Sequence, residues 1–367
     1  MPANGTPGYT YYANRLEWKD VVPIKPPQEP CIVKINYGPQ FLDALSYFRA
    51  IIVSGELSER ALELTSTVLN FNPGNYTAWL YRQRLVRKLN IPSESDMDFN
   101  AIAIQKTAKN YQVWQYRTQL VEYADKKNID IDKEFEFLDD ILNQDSKNYH
   151  AWQYRQWVLT TFDKWGDEMD YVEKMLTIDF RNNSAWNQRY ETIKRCLSFK
   201  SDDIVKRELE YCKAIIKMDI NNESVWNYIV GVGTTYGRNL CSDVNSGMVA
   251  FVQDLYQNYD KYVDDAVING FDIYKIDQYS DKEDFIPYVA HEKTNLVYFL
   301  LIHQSHYLDT LLKNDNVPDI DEKSNFIMAT IASYVDILCD LDCVRSLYWG
   351  SKLSYTKNVI EKYKANK

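Results

Sequence analysis

The segment KNYHAWQYRQW at residues 147–157 carries the motif that decides the fold. Two similar strings precede it, GNYTAWLYR at residues 74–82 and KNYQVWQYR at residues 109–117. In each string an asparagine is followed four residues later by tryptophan, and three residues after that by arginine. A motif that recurs at such intervals is the sequence signature of a repeat protein.

The asparagine and the tryptophan continue into two further copies. The tryptophans are Trp79, Trp114, Trp152, Trp186 and Trp226, and the asparagines are Asn75, Asn110, Asn148, Asn182 and Asn222. An aliphatic residue stands six positions before each asparagine. In the last three copies an aspartate stands three positions before the asparagine, as Asp145, Asp179 and Asp219.

Helix capping explains why the motif has this register. Asparagine is a favoured N-cap because its side-chain oxygen accepts a backbone N–H that the helix leaves unpaired. The tryptophan then falls in the first turn, with the arginine on roughly the same face. Each copy is therefore predicted to be a helical hairpin whose second helix starts at the asparagine. Neighbouring hairpins must stack to bury their apolar faces. The repeated arginines are expected to reach carbonyl or carboxylate groups; they are Arg82, Arg117, Arg155 and Arg189.

Composition agrees with a helical fold and limits the function. The chain has 367 residues and is 45% hydrophobic, but its 12 Gly and 11 Pro are too few for a sheet-rich fold with many tight turns. Its net charge of −10 argues against a general nucleic-acid-binding protein, which needs a basic surface. The cysteines lack metal-ligand spacing, so free and mostly buried thiols are expected at Cys31, Cys196, Cys212, Cys241, Cys339 and Cys343.

The clear repeats are flanked by segments of a different character. Residues 1–39 are rich in proline and are predicted to form an extended N-terminal arm, partly docked through its aromatic side chains. Residues 40–367 are predicted to be a single helical-repeat solenoid. It is expected to have clear repeats at 57–230 and atypical helices at 245–367.

Two further expectations come from the distribution of glycine and of apolar residues. The stretch that contains Gly231, Gly233 and Gly237 does not follow a strand, so a loop or a distorted repeat is predicted there and not a dinucleotide-binding loop. No apolar signal segment is visible at the N-terminus, and the run Leu296–Ile302 is too short to span a bilayer. A cytoplasmic protein is therefore expected.

Polar residues near two of the capping asparagines indicate a function beyond architecture. Lys109 and Lys147 directly precede the asparagine in their copies, and Tyr111 and Tyr149 directly follow it. His150 comes next and is the only histidine in the first 290 residues. Helix N-termini attract anions, so these side chains predict an anion site. From the pattern alone, a structural histidine and solvated lysines are the alternative.

The repeats resemble those of a known family. KNYQVWQYR, LNQDSKNYHAWQYRQW and RNNSAWNQR are similar to the repeats of protein prenyltransferase α subunits. SYFRAIIVSGELSERALELT at residues 46–65 and the arm motif YANRLEWKDVVPI extend the resemblance, which covers about residues 9–228. It is closest to the α subunits shared by protein farnesyltransferase and protein geranylgeranyltransferase type I.

The resemblance implies both a fold and an activity. The fold is all-α, an α-α superhelix of antiparallel helical hairpins in a tetratricopeptide-like crescent that wraps a β subunit. The activity is that of a heterodimeric CaaX protein prenyltransferase. It moves a farnesyl or geranylgeranyl group from a prenyl diphosphate to the cysteine thiolate of C-terminal CaaX motifs. The resemblance also implies that zinc is held by the β subunit and not by this chain, and that magnesium use depends on the β partner. No nucleic acid and no membrane insertion are expected.

Family positions carried onto the matching motifs give a candidate site. The resemblance implies that Lys109 reaches the diphosphate and acts in catalysis, and that Tyr111 lies beside the same group. Tyr149 and His150 match the contribution of the next repeat near the diphosphate. Gln112 matches the glutamine that binds the terminal carboxylate of the CaaX peptide.

The chain departs from the family pattern at three tyrosines. Tyr81, Tyr116 and Tyr154 stand where the family often has histidine, at positions expected to pack rather than to react.

Three other functions stay open from the sequence. A tetratricopeptide-type scaffold would also show a period near 34 residues, but its characteristic residues stand at other offsets. The α subunit of a Rab geranylgeranyltransferase has related repeats. An α-like protein that binds a β subunit without supporting catalysis is the third alternative.

Overall fold

The structure is a computed structural model, and it describes residues 8–26, 35–124, 129–235, 247–258, 294–312 and 319–365. All regular elements in these ranges are helices, as predicted for an all-α protein. The chain divides into two compact units, residues 1–163 and residues 164–367. The predicted single solenoid over residues 40–367 stays a prediction.

The described residues of the first unit form an arm and seven α-helices. The arm contains short 3-10 turns at Tyr12–Asn14 and Leu16–Trp18. The α-helices are α1 (Pro39–Ser54), α2 (Glu59–Phe71), α3 (Tyr76–Leu89), α4 (Ser93–Lys106), α5 (Tyr111–Tyr123), α6 (Ile131–Gln144) and α7 (Tyr149–Phe162). Helices α2–α3, α4–α5 and α6–α7 form the predicted hairpins.

The second unit contains eight α-helices among its described residues. They are α8 (Glu168–Ile178), α9 (Asn183–Thr192), α10 (Asp202–Met218), α11 (Glu223–Thr235), α12 (Met248–Gln257), α13 (Thr294–Leu312), α14 (Ile320–Leu341) and α15 (Ser346–Ala365). A π-helical turn, Ile193–Leu197, follows α9 directly, and 3-10 turns lie at Trp165–Asp167 and Cys343–Arg345.

All five repeated asparagines cap the second helix of their hairpin, as predicted. The side chain of Asn75, for example, accepts a hydrogen bond from the Ala78 backbone at 3.1 Å. Asn148 and Asn182 accept the equivalent bond, from the residue three positions later, at the start of α7 and α9. Asn110 and Asn222 accept from the residue two positions later, at the start of α5 and α11. The repeated tryptophans are at most 5% exposed. Each indole N–H donates to the backbone carbonyl six residues earlier, as Trp114 does to Ala108 at 2.8 Å.

The repeated arginines form buried ion pairs that also include a tyrosine. Arg117 on α5 donates to both carboxylate oxygens of Glu134 on α6, each at 2.6 Å. The hydroxyl of Tyr154 on α7 donates to the same carboxylate at 2.7 Å. One buried acid therefore joins three consecutive helices. The Tyr154 phenol is buried and lies beside this carboxylate. Burial, which has the larger effect, and the charge of Glu134 raise the pKa of Tyr154 well above its usual value.

This arrangement recurs on either side. Asp96 joins Arg82 and Tyr116, and Glu208 joins Arg189 and Tyr228. In each case the tyrosine follows the acid by 20 residues, and at Glu168 the same spacing brings in Gln188 instead of a tyrosine. The prediction for Tyr116 and Tyr154 was therefore incomplete, because both residues hydrogen-bond to buried acids in addition to packing.

Part of the N-terminal arm docks on α1 and α2, as predicted. Tyr12 and Trp18 are 0% and 1% exposed. The Tyr9 hydroxyl donates to Asp43 at 2.8 Å, and Arg60 pairs with Asp20 at 2.7 Å. Aromatic side chains thus hold a segment whose prolines exclude regular helix.

Of the two alternatives predicted around Gly231 and Gly233, a loop or a distorted repeat, the loop is wrong for the residues that the structure describes. Helix α11 continues through both glycines to Thr235, while Gly237 lies outside the described residues. Ile229 and Val232 are each 1% exposed. Burial of this apolar face outweighs the low helix propensity of glycine, which costs about 1 kcal/mol per residue.

Among the described residues of the C-terminal part, helices α13, α14 and α15 share a core. Val297, Leu301, Ile331, Leu338 and Trp349 are all buried in it. Helix α14, with a mean hydropathy of 1.2, could cross a membrane when only its length and composition are considered. A buried core helix meets the same criterion, so this observation is weak evidence for a membrane span.

Cys196, Cys212 and Cys339, the cysteines whose side chains the structure describes, form no disulfide bond. Cys212 is buried, Cys339 is half-buried and Cys196 is exposed, so only one of these three agrees with the expected burial. Burial raises the pKa of the Cys212 thiol well above its usual value. Cys31, Cys241 and the side chain of Cys343 lie outside the described part of the chain.

Candidate functional site

The predicted site residues lie at the N-termini of α5 and α7. Lys109 occupies the turn before α5, where its side chain is 85% exposed. Its ammonium group contacts the Asp145 carboxylate in the turn before α7, with Nζ and Oδ2 3.2 Å apart. An ion pair therefore connects the same turn of two successive repeats.

Two tyrosines flank the histidine in this region. The His150 ring centroid lies 6.2 Å from that of Tyr111 and 5.6 Å from that of Tyr149. Tyr111 is 54% and Tyr149 is 71% exposed. The Tyr111 hydroxyl donates to Gln115 Oε1 at 2.9 Å. The structure thus brings together, from two helices, the three aromatic side chains that the sequence predicted.

Gln112 is the second residue of α5 and is half-buried beside this cluster. Its backbone N–H donates to the capping Asn110 at 2.9 Å. Within the part of the chain that the structure describes, its carboxamide makes no hydrogen bond. That group can therefore bind an external acceptor or donor without breaking an internal bond.

A shared backbone carbonyl fixes the two helix starts relative to each other. The Ala108 oxygen accepts from Trp114 Nε1 at 2.8 Å and from Asn148 Nδ2 at 3.2 Å. Asn148 is 3% exposed, and its Oδ1 caps α7 through the Ala151 N–H at 3.1 Å. One side chain therefore starts its own helix and holds the turn that carries Lys109. A rigid support of this kind is what a binding site needs.

The electrostatics of the region favour an anion. The first N–H groups of α5 and α7 have no intrahelical acceptor, and both helix dipoles present their positive ends here. Lys109 adds a full charge, and the hydroxyl groups of Tyr111 and Tyr149 are donors. Asp145 opposes this tendency. The site thus combines the donors and the charge that bind phosphate groups, together with one carboxylate that competes for the lysine.

No group of three or more His, Cys, Asp or Glu side chains that could hold a metal ion occurs in the residues the structure describes. The donor set at the α5 and α7 N-termini contains one imidazole and one carboxylate, with an ammonium group that repels cations. These residues do not fit a zinc site, and no catalytic step of this chain is assigned to a metal held here.

Sequence reasoning missed the buried acids and the role of Asp145. The constant spacing of 20 residues between an acid and the tyrosine or glutamine of the same hairpin was a usable signal. Asp145 was recognised only as part of the repeat register. Its pairing with Lys109 depends on how successive turns are placed in space, which the spacing of residues within one repeat does not reveal.

Comparison with known proteins agrees with these hairpins. The family model described as protein prenyltransferase alpha subunit repeat matches residues 58–89, 93–124, 131–162, 165–196 and 205–232. A protein farnesyltransferase/geranylgeranyltransferase type-1 subunit alpha from Candida albicans is 31% identical over 236 residues, which are 62% of this chain and 76% of the relative. The chain belongs to the protein prenyltransferase alpha subunit family. Each of the first three matched segments of this family coincides with one hairpin, α2–α3, α4–α5 or α6–α7.

Other members of the prenyltransferase alpha subunit family are more similar over shorter stretches. Proteins with the same description from Pisum sativum and Arabidopsis thaliana are 43% and 42% identical, each over 49% of this chain. The chain spans about half the length of these two relatives, 54% and 55%.

A solved structure supports the fold. It is described as Candida albicans protein geranylgeranyltransferase-I complexed with GGPP. The match has a TM-score of 0.70 at 23% identity and covers 96% of this chain and 100% of that one. At this identity the likeness shows the fold alone.

Proposed function

We propose that this chain is the α subunit of a heterodimeric CaaX protein prenyltransferase. The observation that carries the proposal is the cluster of Lys109, Tyr111, Gln112, Tyr149 and His150 at two adjoining helix N-termini. The relatives named above and the family model, which matches residues 93–124 and 131–162, support it. The partner would be a β subunit, and the substrates would be a prenyl diphosphate and proteins that end in a CaaX motif.

The proposed reaction forms a thioether and releases diphosphate. The cysteine thiolate attacks C1 of the prenyl chain, the C1–O bond breaks, and both bonding electrons leave with the diphosphate. Negative charge grows on the leaving group, so Lys109 and the helix N-terminal N–H groups lower the barrier. Tyr149 and His150 would donate hydrogen bonds to the same oxygens, and Tyr111 would do so when its hydroxyl exchanges Gln115 Oε1 for the diphosphate.

The peptide substrate would be recognised through its C-terminus. The Gln112 carboxamide makes no hydrogen bond to any described residue, and its NH₂ group would donate to the terminal carboxylate of the CaaX peptide. A hydrogen bond to a charged group contributes about 1.5–3 kcal/mol. This bond would fix the distance between the peptide end and the reacting thiol.

The metal chemistry is assigned to the partner. The β subunit would hold the zinc ion that keeps the cysteine deprotonated at neutral pH. Magnesium use would depend on the β subunit present. Cytoplasmic localisation stays a prediction from the sequence.

The test is co-expression with each candidate β subunit from the same organism. Zinc-dependent transfer of farnesyl and geranylgeranyl groups to CaaX peptides would then be measured. Transfer with both partners would support a shared α subunit. Stable complexes without transfer would point to a Rab-type or idle subunit, and the absence of any complex would favour a helical scaffold.

A further inference from the structure

The ion pair between Lys109 and Asp145 occupies the lysine that the proposed function assigns to the diphosphate. Lys109 Nζ lies 3.2 Å from Asp145 Oδ2, while Asp145 Oδ1 accepts the Lys147 backbone N–H at 3.2 Å. The carboxylate is therefore held by its own turn, and the lysine is the movable partner. An ammonium group on a four-carbon stem can change partners without backbone movement.

The same pair recurs elsewhere in the repeat array. Arg181, which also directly precedes a capping asparagine, contacts Asp219 in the next repeat at 2.6 Å. Asp219 is only 2% exposed, whereas the Asp145 side chain is 35% exposed. The buried version is a fixed link between repeats. The Lys109–Asp145 pair joins a mostly exposed lysine to a partly exposed aspartate, so it can open toward solvent.

Exposure decides what the Lys109–Asp145 pair can do. An ion pair between exposed side chains adds little to folding because water and salt screen it. Asp145 is nevertheless the carboxylate that faces Lys109 in the anion site. A prenyl diphosphate carries more negative charge than one carboxylate, so it competes for the lysine when it arrives.

We propose that Asp145 is an internal counter-ion that Lys109 exchanges for the diphosphate during each turnover, a proposal that rests on the proposed function. Asp145 neutralises the lysine in the empty site and therefore weakens binding of the diphosphate. After transfer, it takes the lysine back and favours release of the inorganic diphosphate product. Asp145 is thus a positioning residue and not a catalytic one.

The test uses Asp145→Asn in the heterodimer. Asparagine keeps the acceptor for the Lys147 N–H but removes the charge. We expect inorganic diphosphate to bind about three- to tenfold more tightly, as a dissociation constant from calorimetry and as an inhibition constant in the transfer assay. The effect should shrink as salt is raised from 0.05 to about 0.5 M. The maximal rate should fall as product release slows.

Asp130→Asn is a closely matched control. Asp130 also accepts a backbone N–H, from Lys133 at 3.2 Å, and pairs with that residue's ammonium group at 3.4 Å. Asp130 caps the opposite end of α6 from Asp145. Its substitution therefore removes the same charge and the same kind of ion pair, but away from the site. Diphosphate affinity should be unchanged in this variant.

The same substitution made in a Lys109→Ala protein distinguishes exchange of the lysine from simple repulsion between Asp145 and the diphosphate. With Lys109→Ala present, exchange is impossible, and Asp145→Asn should then change diphosphate affinity much less than it does in the wild-type background. An equal change in both backgrounds would overturn the proposal, as would unchanged affinity in Asp145→Asn alone. A wild-type heterodimer without transfer activity would instead refute the proposed function, while calorimetry with diphosphate would still test the exchange.

Discussion

Lys109 is the residue on which the proposed chemistry depends most, because its ammonium group lies in the turn before α5 and contacts the Asp145 carboxylate before α7. Lys109→Ala is expected to reduce the rate of the chemical step by about 10²–10³-fold, the range for loss of one group that stabilises developing charge. Heterodimer formation should be unaffected. Single-turnover transfer assays measure the rate, and Lys133→Ala, which removes a lysine 79% exposed on α6, is the control. A normal single-turnover rate in Lys109→Ala would contradict the role.

Gln112 should act on the peptide and not on the diphosphate. Gln112→Ala is expected to raise KM about 10–100-fold for a CaaX peptide with a free C-terminus, since a hydrogen bond to a charged group is lost. A peptide with an amidated C-terminus should be used poorly by the wild-type enzyme and be affected little by the substitution. The comparison requires KM for both peptides in both enzymes. If Gln112→Ala raised KM equally for the free and the amidated peptide, Gln112 would not recognise the terminal carboxylate.

Individual site residues could be predicted from the sequence only where a motif carried them. The positions of Lys109, Tyr111, Tyr149 and His150 follow from the capping asparagines, because a cap sets which residues open the helix. Their mutual proximity and the competing carboxylate of Asp145 depend on the stacking of one hairpin on the next, which local spacing does not determine.

At the scale of the helices, the tryptophans should determine stability. Trp114 packs against Phe137 and Tyr154, with centroids 6.2 and 5.5 Å away. Trp114→Ala is expected to lower the free energy of unfolding by about 3–5 kcal/mol, because a large buried ring leaves a cavity. Urea denaturation measures the change. Ile102→Ala, at a side chain 51% exposed, should change stability by less than about 1 kcal/mol.

The acid that joins three helices should be equally important. Glu134→Ala leaves the buried Arg117 guanidinium without its counter-charge, so we expect a loss of about 3–5 kcal/mol in the free energy of unfolding. Glu134→Gln should be milder because it still accepts from Tyr154. The exposed Glu136 on the same helix offers a matched control, Glu136→Ala. Equal stability of the Glu134→Ala and Glu136→Ala proteins would refute the structural importance of the buried pair.

The hairpins themselves were predictable, because capping and the tryptophan anchors act within one repeat. The continuation of α11 through Gly231 and Gly233 was not, since packing of Ile229 and Val232 outweighed the local preference of glycine. The buried acids are among the 52 acidic residues of the chain, and their signal was the spacing of 20 residues to a tyrosine or glutamine, not the spacing to an arginine, which varies.

For the whole molecule, the buried phenols predict an upper pH limit of stability. Burial, which is the larger effect, and adjacent carboxylates raise the pKa of Tyr116, Tyr154 and Tyr228 above the usual 10.0. Above pH 10 the unfolded chain loses these protons while the folded chain keeps them, so the free energy of unfolding falls by up to about 1.4 kcal/mol per pH unit for each phenol. Below pH 10 these phenols do not make the free energy of unfolding depend on pH.

Urea denaturation between pH 8.5 and 11 tests this limit. Tyr154→Phe is expected to be less stable at pH 8.5, where a hydrogen bond is lost, but to show a shallower decline above pH 10. Tyr149→Phe, at a phenol 71% exposed, should keep the wild-type slope. Identical slopes in the wild type and in Tyr154→Phe would show that this phenol ionises equally in both states.

The fixed distance of 20 residues from acid to tyrosine or glutamine contrasts with the distance from each arginine to its acid, which is 14, 17 and 19 residues in three copies. In these copies the spacing within each hairpin is constant, while the length varies in the connections from one hairpin to the next. Natural insertions and deletions should accumulate there during descent from a duplicated ancestor. An engineer who wishes to splice a reporter peptide into this scaffold should choose those same connections and leave the turns within the hairpins intact.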